Sequence, residues 1–194
     1  MPIRQAQAIR NELLVTLPTN FKCARFEEDA DTQILRDLEK DVDAARYKTP
    51  EGEIELPVKL RVHDSILVPL AKWAMLLAGN YRCITPEGMR TASEAVHTDI
   101  EKSRAVYDFV IKVCVAIGAD PKVLVPFEKY AAAAKELSRP ASAARALQNG
   151  ATNIERADKL VQLVAAQKGL KSDLVDEIVA LVDRRLAENR AKAA

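Results

Sequence analysis

Apolar residues recur at helical spacing along most of the 194-residue chain. Leu35, Leu38 and Val42 fall every three or four positions, as on the buried stripe of an amphipathic helix. Asp31 precedes them, and its carboxylate can accept hydrogen bonds from the free N–H groups of a first helical turn. The pattern predicts a helix that begins at Asp31 and ends near Tyr47.

The most apolar interval of the chain, residues 65–79, predicts a buried helix at the centre of the core. Gly79 predicts a left-handed stop at the end of this helix, because glycine adopts that conformation without steric cost. The interval has about half the length needed to span a bilayer, and it contains Pro69 and Lys72. We therefore expect a core helix and no membrane association.

A heptad-like pattern predicts one long helix over residues 86–117. Its apolar positions step by three, four or seven residues, and Ser103 is the one polar residue in this seam. Thr85-Pro86 predicts the N-cap and first helical residue, and Gly118 predicts the end. Such a helix would serve as a scaffold spine or as an assembly surface.

Three short segments lack helical spacing. Residues 20–26 alternate in a way that predicts a short strand or an extended arm. Residues 49–52, Thr-Pro-Glu-Gly, have the composition of a turn. After this turn, residues 53–56 and 58–62 are expected to form a hairpin or an irregular arm.

Proline, glycine and capping residues delimit the other predicted helices. These run over residues 3–16 before Pro18, from Asp120-Pro121 to about Ser138, from Thr152 or Asn153 to Gly169, and from Ser172 through the amphipathic C-terminal stretch. The predicted fold class is thus mainly α, a multi-helix bundle with one long central helix and at most a small β-hairpin or arm.

Arg139-Pro140 is the clearest candidate boundary in the sequence. It would separate a helical body over 1–138, with an acidic N-terminal section, from a basic helical section over 140–194, although both can belong to one domain. Residues 27–57 contain eleven acidic and four basic residues, a net charge of −7. Residues 129–171 contain eight basic and three acidic residues, a net charge of +5. The chain is therefore polarised, although its total net charge is +1.

Composition indicates a folded chain in a reducing compartment. Apolar residues make up 48% and charged residues 29%, an ordinary balance for a globular protein. The three cysteines are far apart and have no C-x-x-C spacing, which argues against a disulfide framework or a zinc site. The N-terminus has no uninterrupted apolar stretch typical of a secretory signal. These features favour a cytoplasmic location, and Cys114 is expected to be a small core residue.

The sequence contains no pattern that predicts catalysis. His63-Asp64 has the composition of the metal-binding pair of HD-type phosphohydrolases, but no further histidine precedes it in the sequence. His97 with Asp99 does not replace the missing ligand, because residues i and i+2 do not share a helix face. Most acidic residues of the 27–55 interval interleave with basic ones, as on a solvated helix face. Glycine-rich phosphate-binding motifs are absent from the sequence. We predict no catalytic residues, no metal, no cofactor and no enzymatic activity.

The segment 141–163 has the small residues and turn glycine of a helix-turn-helix motif. However, Arg156 and Lys159 fall where the second helix of that motif packs inward. An ordinary helical hairpin is the better interpretation of this segment.

Basic residues near aromatic ones give the leading functional hypothesis, a non-enzymatic protein that binds nucleic acid. Cations that follow a phosphate backbone, together with rings that stack on bases, suit single-stranded DNA or RNA. We expect a homo-oligomer with a role in replication or transcription. The candidate phosphate contacts are Lys129, Lys135, Arg139, Arg145, Arg156 and Lys159, with Tyr130 as a stacking residue.

The alternative hypothesis is a protein–protein interaction adaptor or structural assembly protein that does not bind nucleic acid. The helix over 86–117 and the final helix would then provide contact surfaces. The acidic section would be a docking surface for a basic partner, for example the basic section of another copy of this chain.

Overall fold

Residues 19–56, 58–65 and 67–193 are described by a computed structural model of the protein. Most of these residues are helical, and the strands are few and short, so the mainly α class is confirmed. The helix predicted over residues 3–16 lies outside the described residues.

The chain divides into two compact units, an N-terminal unit, Met1–Pro69, and a C-terminal unit, Leu70–Ala194. The boundary predicted at Arg139-Pro140 falls within the C-terminal unit. The separate basic section predicted over 140–194 stays a prediction. The elements of the N-terminal unit are β1 (Thr19–Ala24), α1 (Asp29–Ala44), β2 (Arg46–Thr49), β3 (Gly52–Glu55) and β4 (Val58–His63).

Helices follow from the junction of the two units to the end of the described chain. They begin with a continuous helical run that comprises a 3₁₀ turn (Val68–Lys72), α2 (Trp73–Met75), a π-turn (Leu76–Asn80) and a second 3₁₀ turn (Tyr81–Cys83). After these come α3 (Ala92–His97), α4 (Ile100–Ala116), a 3₁₀ turn (Pro121–Val123), α5 (Phe127–Ala134), α6 (Ser142–Gln148), α7 (Ala157–Gln167) and α8 (Asp173–Ala193).

In the N-terminal unit, β1 and β4 form a two-stranded parallel sheet in which Phe21 lies opposite Leu60. The strand expected within residues 20–26 is therefore confirmed. Helix α1 contributes polar groups to β4: the Glu39 carboxylate accepts the Val62 N–H at 3.1 Å, on the edge of β4 that faces away from β1. Arg61 donates to Asp43 of α1 at 2.7 Å. The helix is thus held to the sheet by charge-assisted hydrogen bonds.

The hairpin of this unit differs from the predicted one. Strand β2 pairs with β3 across the Thr-Pro-Glu-Gly turn, and β4 pairs with β1 instead. The predicted pairing of 53–56 with 58–62 was wrong because it leaves a single residue, Pro57, to reverse the chain. Common hairpin loops need two residues or more.

Helix α1 begins at Asp29, two residues before the predicted start. Asp31 is therefore not the N-cap and lies inside the first turn. Thr32 stabilises the entry to the helix, because its buried hydroxyl accepts the Phe26 N–H at 3.0 Å.

The apolar run predicted to stop at Gly79 continues as helix to Cys83, so the predicted stop was wrong. Gly79 has no positive φ and is fully buried. Its missing side chain makes space for Tyr130, whose hydroxyl donates to the carbonyl of Met75 at 3.2 Å. This bond engages a carbonyl that an α-helix would use internally, which accounts for the π-turn at this point.

The helix predicted over 86–117 was also wrong in its extent, because the structure has two shorter helices, α3 and α4. Thr85-Pro86 belongs to a turn in which the Thr85 hydroxyl accepts the Gly88 N–H at 3.0 Å. The first helix begins behind Thr91, which forms a reciprocal capping box with Glu94. Asp99 then caps α4 by accepting the Lys102 N–H at 2.9 Å.

Ser103 marks the interruption between α3 and α4. Its fully buried hydroxyl lies 2.7 Å from the carbonyl of Val96, which the end of α3 leaves without a helical partner. It also lies 2.8 Å from the carbonyl of Asp99, the N-cap of α4. The one polar residue of the predicted seam is therefore the residue that stabilises the break. Two shorter helices thus replace the predicted long central helix, and a bundle arranged around it is not confirmed.

Several predicted helix ends are confirmed. Gly118 and Gly169 follow α4 and α7 with φ values of 102° and 69°. Ser172 caps α8, since its hydroxyl accepts the Val175 N–H at 3.4 Å. Cys114 is fully buried as predicted, and burial raises the pKa of its thiol to about 11.

Two predicted helix starts were wrong. Asp120-Pro121 opens only a short 3₁₀ turn, and α5 begins six residues later behind Pro126. The helix expected from Thr152 or Asn153 begins at Ala157, and no side chain caps it. Here a tertiary contact replaces the cap: the Ala157 N–H donates to the hydroxyl of Tyr81 at 2.8 Å.

The core of the C-terminal unit contains an aromatic cluster. Tyr107 stacks on Tyr130 with ring centroids 5.4 Å apart, and it meets Phe127 edge-on at 5.3 Å. Both geometries are favourable for aromatic pairs. The Tyr107 hydroxyl donates to the Val125 carbonyl at 2.8 Å, so its polar end is satisfied inside the core.

Two buried polar residues anchor the long helix α8. Arg185 donates to the carbonyls of Thr85 and Gly88, at 2.6 and 3.0 Å. Asn189 donates to the carbonyls of Leu147 and Ala151 at 2.8 and 3.0 Å.

No helix within the described ranges combines the length and the apolar character that a membrane span requires.

Replacing Gly79 with alanine tests the close approach of Tyr130. The new methyl group would overlap the Tyr130 hydroxyl and lie 3.1 Å from the ring carbon that bears it. We expect a loss of about 1–3 kcal/mol in the free energy of unfolding, measured by urea denaturation, although alanine normally favours a helix.

Gly88→Ala is the matched control, because its new methyl group would be 3.7 Å from its nearest neighbour. Adding Tyr130→Phe to Gly79→Ala should recover part of the lost free energy of unfolding, because it removes the oxygen that overlaps the new methyl group. A Gly79→Ala protein as stable as the wild type would contradict this account of the π-turn.

Candidate interaction surface

Tyr130 does not provide a face on which a base could stack. It is only 7% exposed, and its ring is packed against Tyr107 and Gly79. Burial raises the pKa of its hydroxyl well above the ordinary value. Its proposed stacking role is therefore corrected to a core role.

Arg156 and Lys159 are held by carboxylates of their own unit. Arg156 makes two bonds to the fully buried Asp158, at 2.9 and 3.0 Å, and a third to Asp183 at 2.5 Å. Lys159 lies 3.4 Å from Asp183. The pKa of Arg156 is therefore raised despite partial burial, because both carboxylates stabilise its charged form. The structure brings these two cations together, but as parts of an ion-pair network.

The other predicted cations lie elsewhere in the C-terminal unit. Lys129 is exposed on α5, and Lys135 and Arg139 are exposed in the segment that follows it. Arg145 is half-buried on α6, and its Nε has no hydrogen-bond partner in the described chain. The six cations thus have three different environments, and only the first three have the exposure that phosphate contacts require.

Exposed apolar side chains are concentrated in the small N-terminal unit. Within the described residues, half of the exposed large apolar side chains belong to it. They are Phe21, Phe26, Ile34, Leu38, Tyr47 and Ile54. Clustered exposed apolar residues commonly mark an interaction site, whereas single ones need no explanation.

The β2–β3 hairpin presents two of these side chains as a pair. Tyr47 lies directly opposite Ile54 across the strands, and the two are 58% and 50% exposed. Strand alternation places them on one side of the hairpin, which we call the apolar hairpin face. The other side has the charged pairs Arg46 with Glu55 and Lys48 with Glu53.

The turn and the base of the hairpin fix its register. Gly52 adopts a φ of 132°, a value that favours glycine, and the Thr49 hydroxyl donates to its carbonyl at 2.8 Å. At the base, Lys59 binds both Glu55 and Asp43. The hydrogen bond from Lys59 lowers the pKa of Glu55, and the same bond raises the pKa of Lys59.

No third strand joins this hairpin among the described residues. A two-stranded hairpin is marginally stable in water when no other element covers its apolar side. The apolar hairpin face is therefore suited to binding a partner, which would shield it from water.

The C-terminal unit contains an apolar depression that could receive such a face. It is an open cavity of about 410 Å³ between α4, α7 and the start of α8. We call it the α7 groove, and define it by Phe109, Leu163, Ala166, Leu170 and Val175. Leu163 is 54% exposed at this site.

Neither feature was identified from the sequence. The hairpin could have been found, because Tyr47 and Ile54 lie at equal distances from the Pro50-Glu51 turn. The α7 groove has no comparable signal in the sequence, since it forms where three helices meet.

Among the described residues, no group of three or more His, Cys, Asp or Glu side chains is placed to hold a metal ion.

Arg156→Gln tests whether this arginine is structural. The substitution leaves the buried Asp158 carboxylate without its two-bond partner, so we expect the free energy of unfolding to fall by about 3 kcal/mol. Urea denaturation measures this loss. Lys159→Gln is the control and should change stability by less than about 0.5 kcal/mol, because Lys159 is only half-buried and pairs with the exposed Asp183. Equal effects of both substitutions would contradict the structural role.

Comparison with known proteins gives no further guide to this surface. No protein-family model matches the chain, and no curated protein or solved structure matches it either. The function has to be inferred from the geometry and chemistry of the chain itself.

Proposed function

We propose that this protein is an assembly protein that binds further copies of itself, with the apolar hairpin face of one copy seated in the α7 groove of the next. The observation that supports this most directly is the exposed Tyr47–Ile54 pair on a hairpin that no other described strand joins. The proposal assigns the protein no catalytic activity.

The chemistry of the α7 groove supports this occupant. Its walls are mostly apolar, and its volume of about 410 Å³ leaves space for large side chains. Aromatic side chains inserted into pockets dominate the binding energy of many protein interfaces. Tyr47 would be such an anchor, because its ring can be buried while its hydroxyl stays at the polar rim near Gln162 or Asp176.

Charge complementarity favours a second copy as the partner. Residues 27–57, which include the hairpin, have a net charge of −7. Residues 129–171, which include much of the groove, have a net charge of +5. The opposite net charges of these two segments would accelerate the association of two copies.

The proposed contact uses different surfaces on the two copies. Such a head-to-tail contact leaves one hairpin and one groove unoccupied at the two ends of any open complex. Repeating it produces a closed ring or an open filament, depending on the rotation between neighbours.

Removing the apolar hairpin face should abolish assembly. A protein with Tyr47→Ser and Ile54→Ser loses two side chains whose full burial is each worth about 1.5–3 kcal/mol. We expect the association constant to fall at least about a hundredfold, measured by sedimentation velocity over a concentration series. Phe21→Ser, at an exposed site on β1, is the control and should leave assembly unchanged.

A mixing experiment distinguishes this contact from a symmetric one. Leu163→Asp should block the groove while leaving the hairpin intact. Each variant alone should be monomeric, and an equimolar mixture should form heterodimers and nothing larger. Assembly by either variant alone, or a monomeric wild-type protein, would overturn the proposal.

Nucleic-acid binding is a second candidate function, supported by one specific observation. Lys129, Lys135 and Arg139 are exposed, and no ion pair involves them within the described part of the chain. Exposed cations close in sequence can neutralise neighbouring phosphates of a single strand. This candidate retains three of the six cations first predicted and does not include Tyr130.

Fluorescence anisotropy with a labelled single-stranded oligonucleotide tests this candidate. Changing Lys129, Lys135 and Arg139 together to glutamine should weaken binding to all sequences alike. The slope of log K against the logarithm of the salt concentration should fall in magnitude by about three, because each lost phosphate contact lowers it by about one.

The charge-matched control changes three exposed lysines outside this segment, Lys22, Lys40 and Lys112. It should leave the salt dependence unchanged. Binding that is absent at low salt, or that is equal in the two triple variants, would exclude the nucleic-acid candidate.

A further inference from the structure

Arg82 is a buried cation without a carboxylate partner. Its side chain belongs to the 3₁₀ turn Tyr81–Cys83, and the residue is only 7% exposed. The guanidinium donates to the hydroxyl of Ser103. No carboxylate within the described ranges lies in ion-pair distance of it, whereas Arg156 of the same unit binds two carboxylates.

This arrangement is unusual in energetic terms. A buried charge is costly unless it is paired and hydrogen-bonded, and one neutral hydroxyl compensates only a small part of the lost hydration. Burial lowers the pKa of Arg82, and the neighbouring charge of Arg90 lowers it further. An arginine nevertheless stays charged at neutral pH, and no described carboxylate lies close enough to form an ion pair with it.

Arg82 lines an open cavity of about 330 Å³ on the C-terminal unit. Arg90 and Lys102 line the same cavity. Arg90 is oriented by a bond from its Nε to the Arg82 carbonyl at 2.9 Å, and no described carboxylate forms an ion pair with it. The lining of the cavity therefore contains two guanidinium groups, and no described carboxylate lies in ion-pair distance of either.

The carboxylates of this cavity are already engaged. Asp99 accepts the backbone N–H of Lys102 at 2.9 Å as the cap of α4. Glu177 accepts from the ammonium group of Lys102 at 3.0 Å. Lys102 and Glu177 neutralise each other, which leaves Arg82 and Arg90 with Asp99 as the nearest remaining negative charge in the lining.

The rest of the lining is apolar and comes from two sides. Ile84 and Pro86 lie on one side, and Leu174, Ile178 and Leu181 of α8 lie on the other. A cavity of this volume with apolar walls and a few converging polar groups is typical of small-molecule sites.

We propose that this cavity binds a small organic oxyanion, a molecule with a phosphate or carboxylate group on an apolar body. The two guanidinium groups of Arg82 and Arg90 receive the oxyanion, since their planar N–H donors match its oxygens in pairs. The apolar body lies against Leu174, Ile178 and Leu181. Occupancy supplies the negative charge that buried Arg82 lacks in the protein alone.

Isothermal titration calorimetry with three simple probes tests the site at constant ionic strength. Phenyl phosphate and benzoate contain the oxyanion and an apolar ring, and inorganic phosphate lacks the ring. We expect at least one ring-containing probe to bind, and phenyl phosphate to bind at least about tenfold more tightly than inorganic phosphate, because the ring buries apolar surface. The ranking of phenyl phosphate against benzoate identifies which oxyanion the site prefers.

Arg82→Met and Arg90→Gln should each weaken binding of the better probe at least about tenfold, because each removes a charge-assisted hydrogen bond. Lys112→Gln is the charge-matched control on α4, where Lys112 is exposed and does not line the cavity. It should bind the probe like the wild type. Arg90→Gln is informative even if Arg82→Met fails to fold.

A purely structural role for Arg82 gives a different pattern. In that case Arg82→Met lowers stability, and none of the three probes binds or stabilises the wild-type protein. Absence of binding by all probes, or equal loss in Arg90→Gln and Lys112→Gln, overturns the proposal. The oligomer experiments use other residues, so the two proposals succeed or fail separately.

Discussion

The hydroxyl of Tyr81 connects the central helical run to the start of α7. It donates to the Glu155 carbonyl at 2.6 Å and accepts the Ala157 N–H at 2.8 Å, residues more than seventy positions away in the chain. Burial raises the pKa of this hydroxyl to about 12, so it stays protonated and able to donate across the physiological range. Since the N-cap residue of α7 makes no side-chain cap of its own, this hydroxyl takes the place of the cap at the start of that helix. The α7 groove and the ion-pair network of Arg156 both depend on that starting point, and Tyr81 also lines the cavity of Arg82.

Local signals in the sequence were sufficient to predict elements whose ends are determined by local chemistry. Glycine at Gly118 and Gly169 and the hydroxyl of Ser172 act within one turn of the helix they terminate or begin, and their effects were predicted correctly. The mainly α class follows from the same local preferences. Where a distant side chain decides the outcome, the prediction failed. Gly79 was expected to stop a helix, but it lies inside the helical run, where its missing side chain makes space for the Tyr130 hydroxyl.

The break between α3 and α4 was predictable from Ser103, the one polar residue in the apolar seam. A polar residue in an apolar seam must satisfy its hydroxyl inside the core, and the simplest way is to bond carbonyls released by a helix end.

The candidate phosphate contacts were predicted from formal charge alone. Formal charge along the sequence did not distinguish Arg156, which is held by two carboxylates, from Lys129, which is exposed. Ion pairing depends on residues such as Asp183, which come close only in the folded chain.

The parallel pairing of β1 with β4 has a consequence for the order in which the N-terminal unit forms. Strand β1 cannot complete its sheet until residues 58–63 are available, whereas the β2–β3 hairpin closes over a turn of two residues. Hairpins form within about 1–10 μs, and closing the longer loop between β1 and β4 adds an entropic cost. During synthesis, the Tyr47–Ile54 face is therefore complete before the strand that anchors the base of the hairpin. In the proposed assembly, nascent chains on one messenger would present this face to already folded copies before their own C-terminal units emerge from the ribosome.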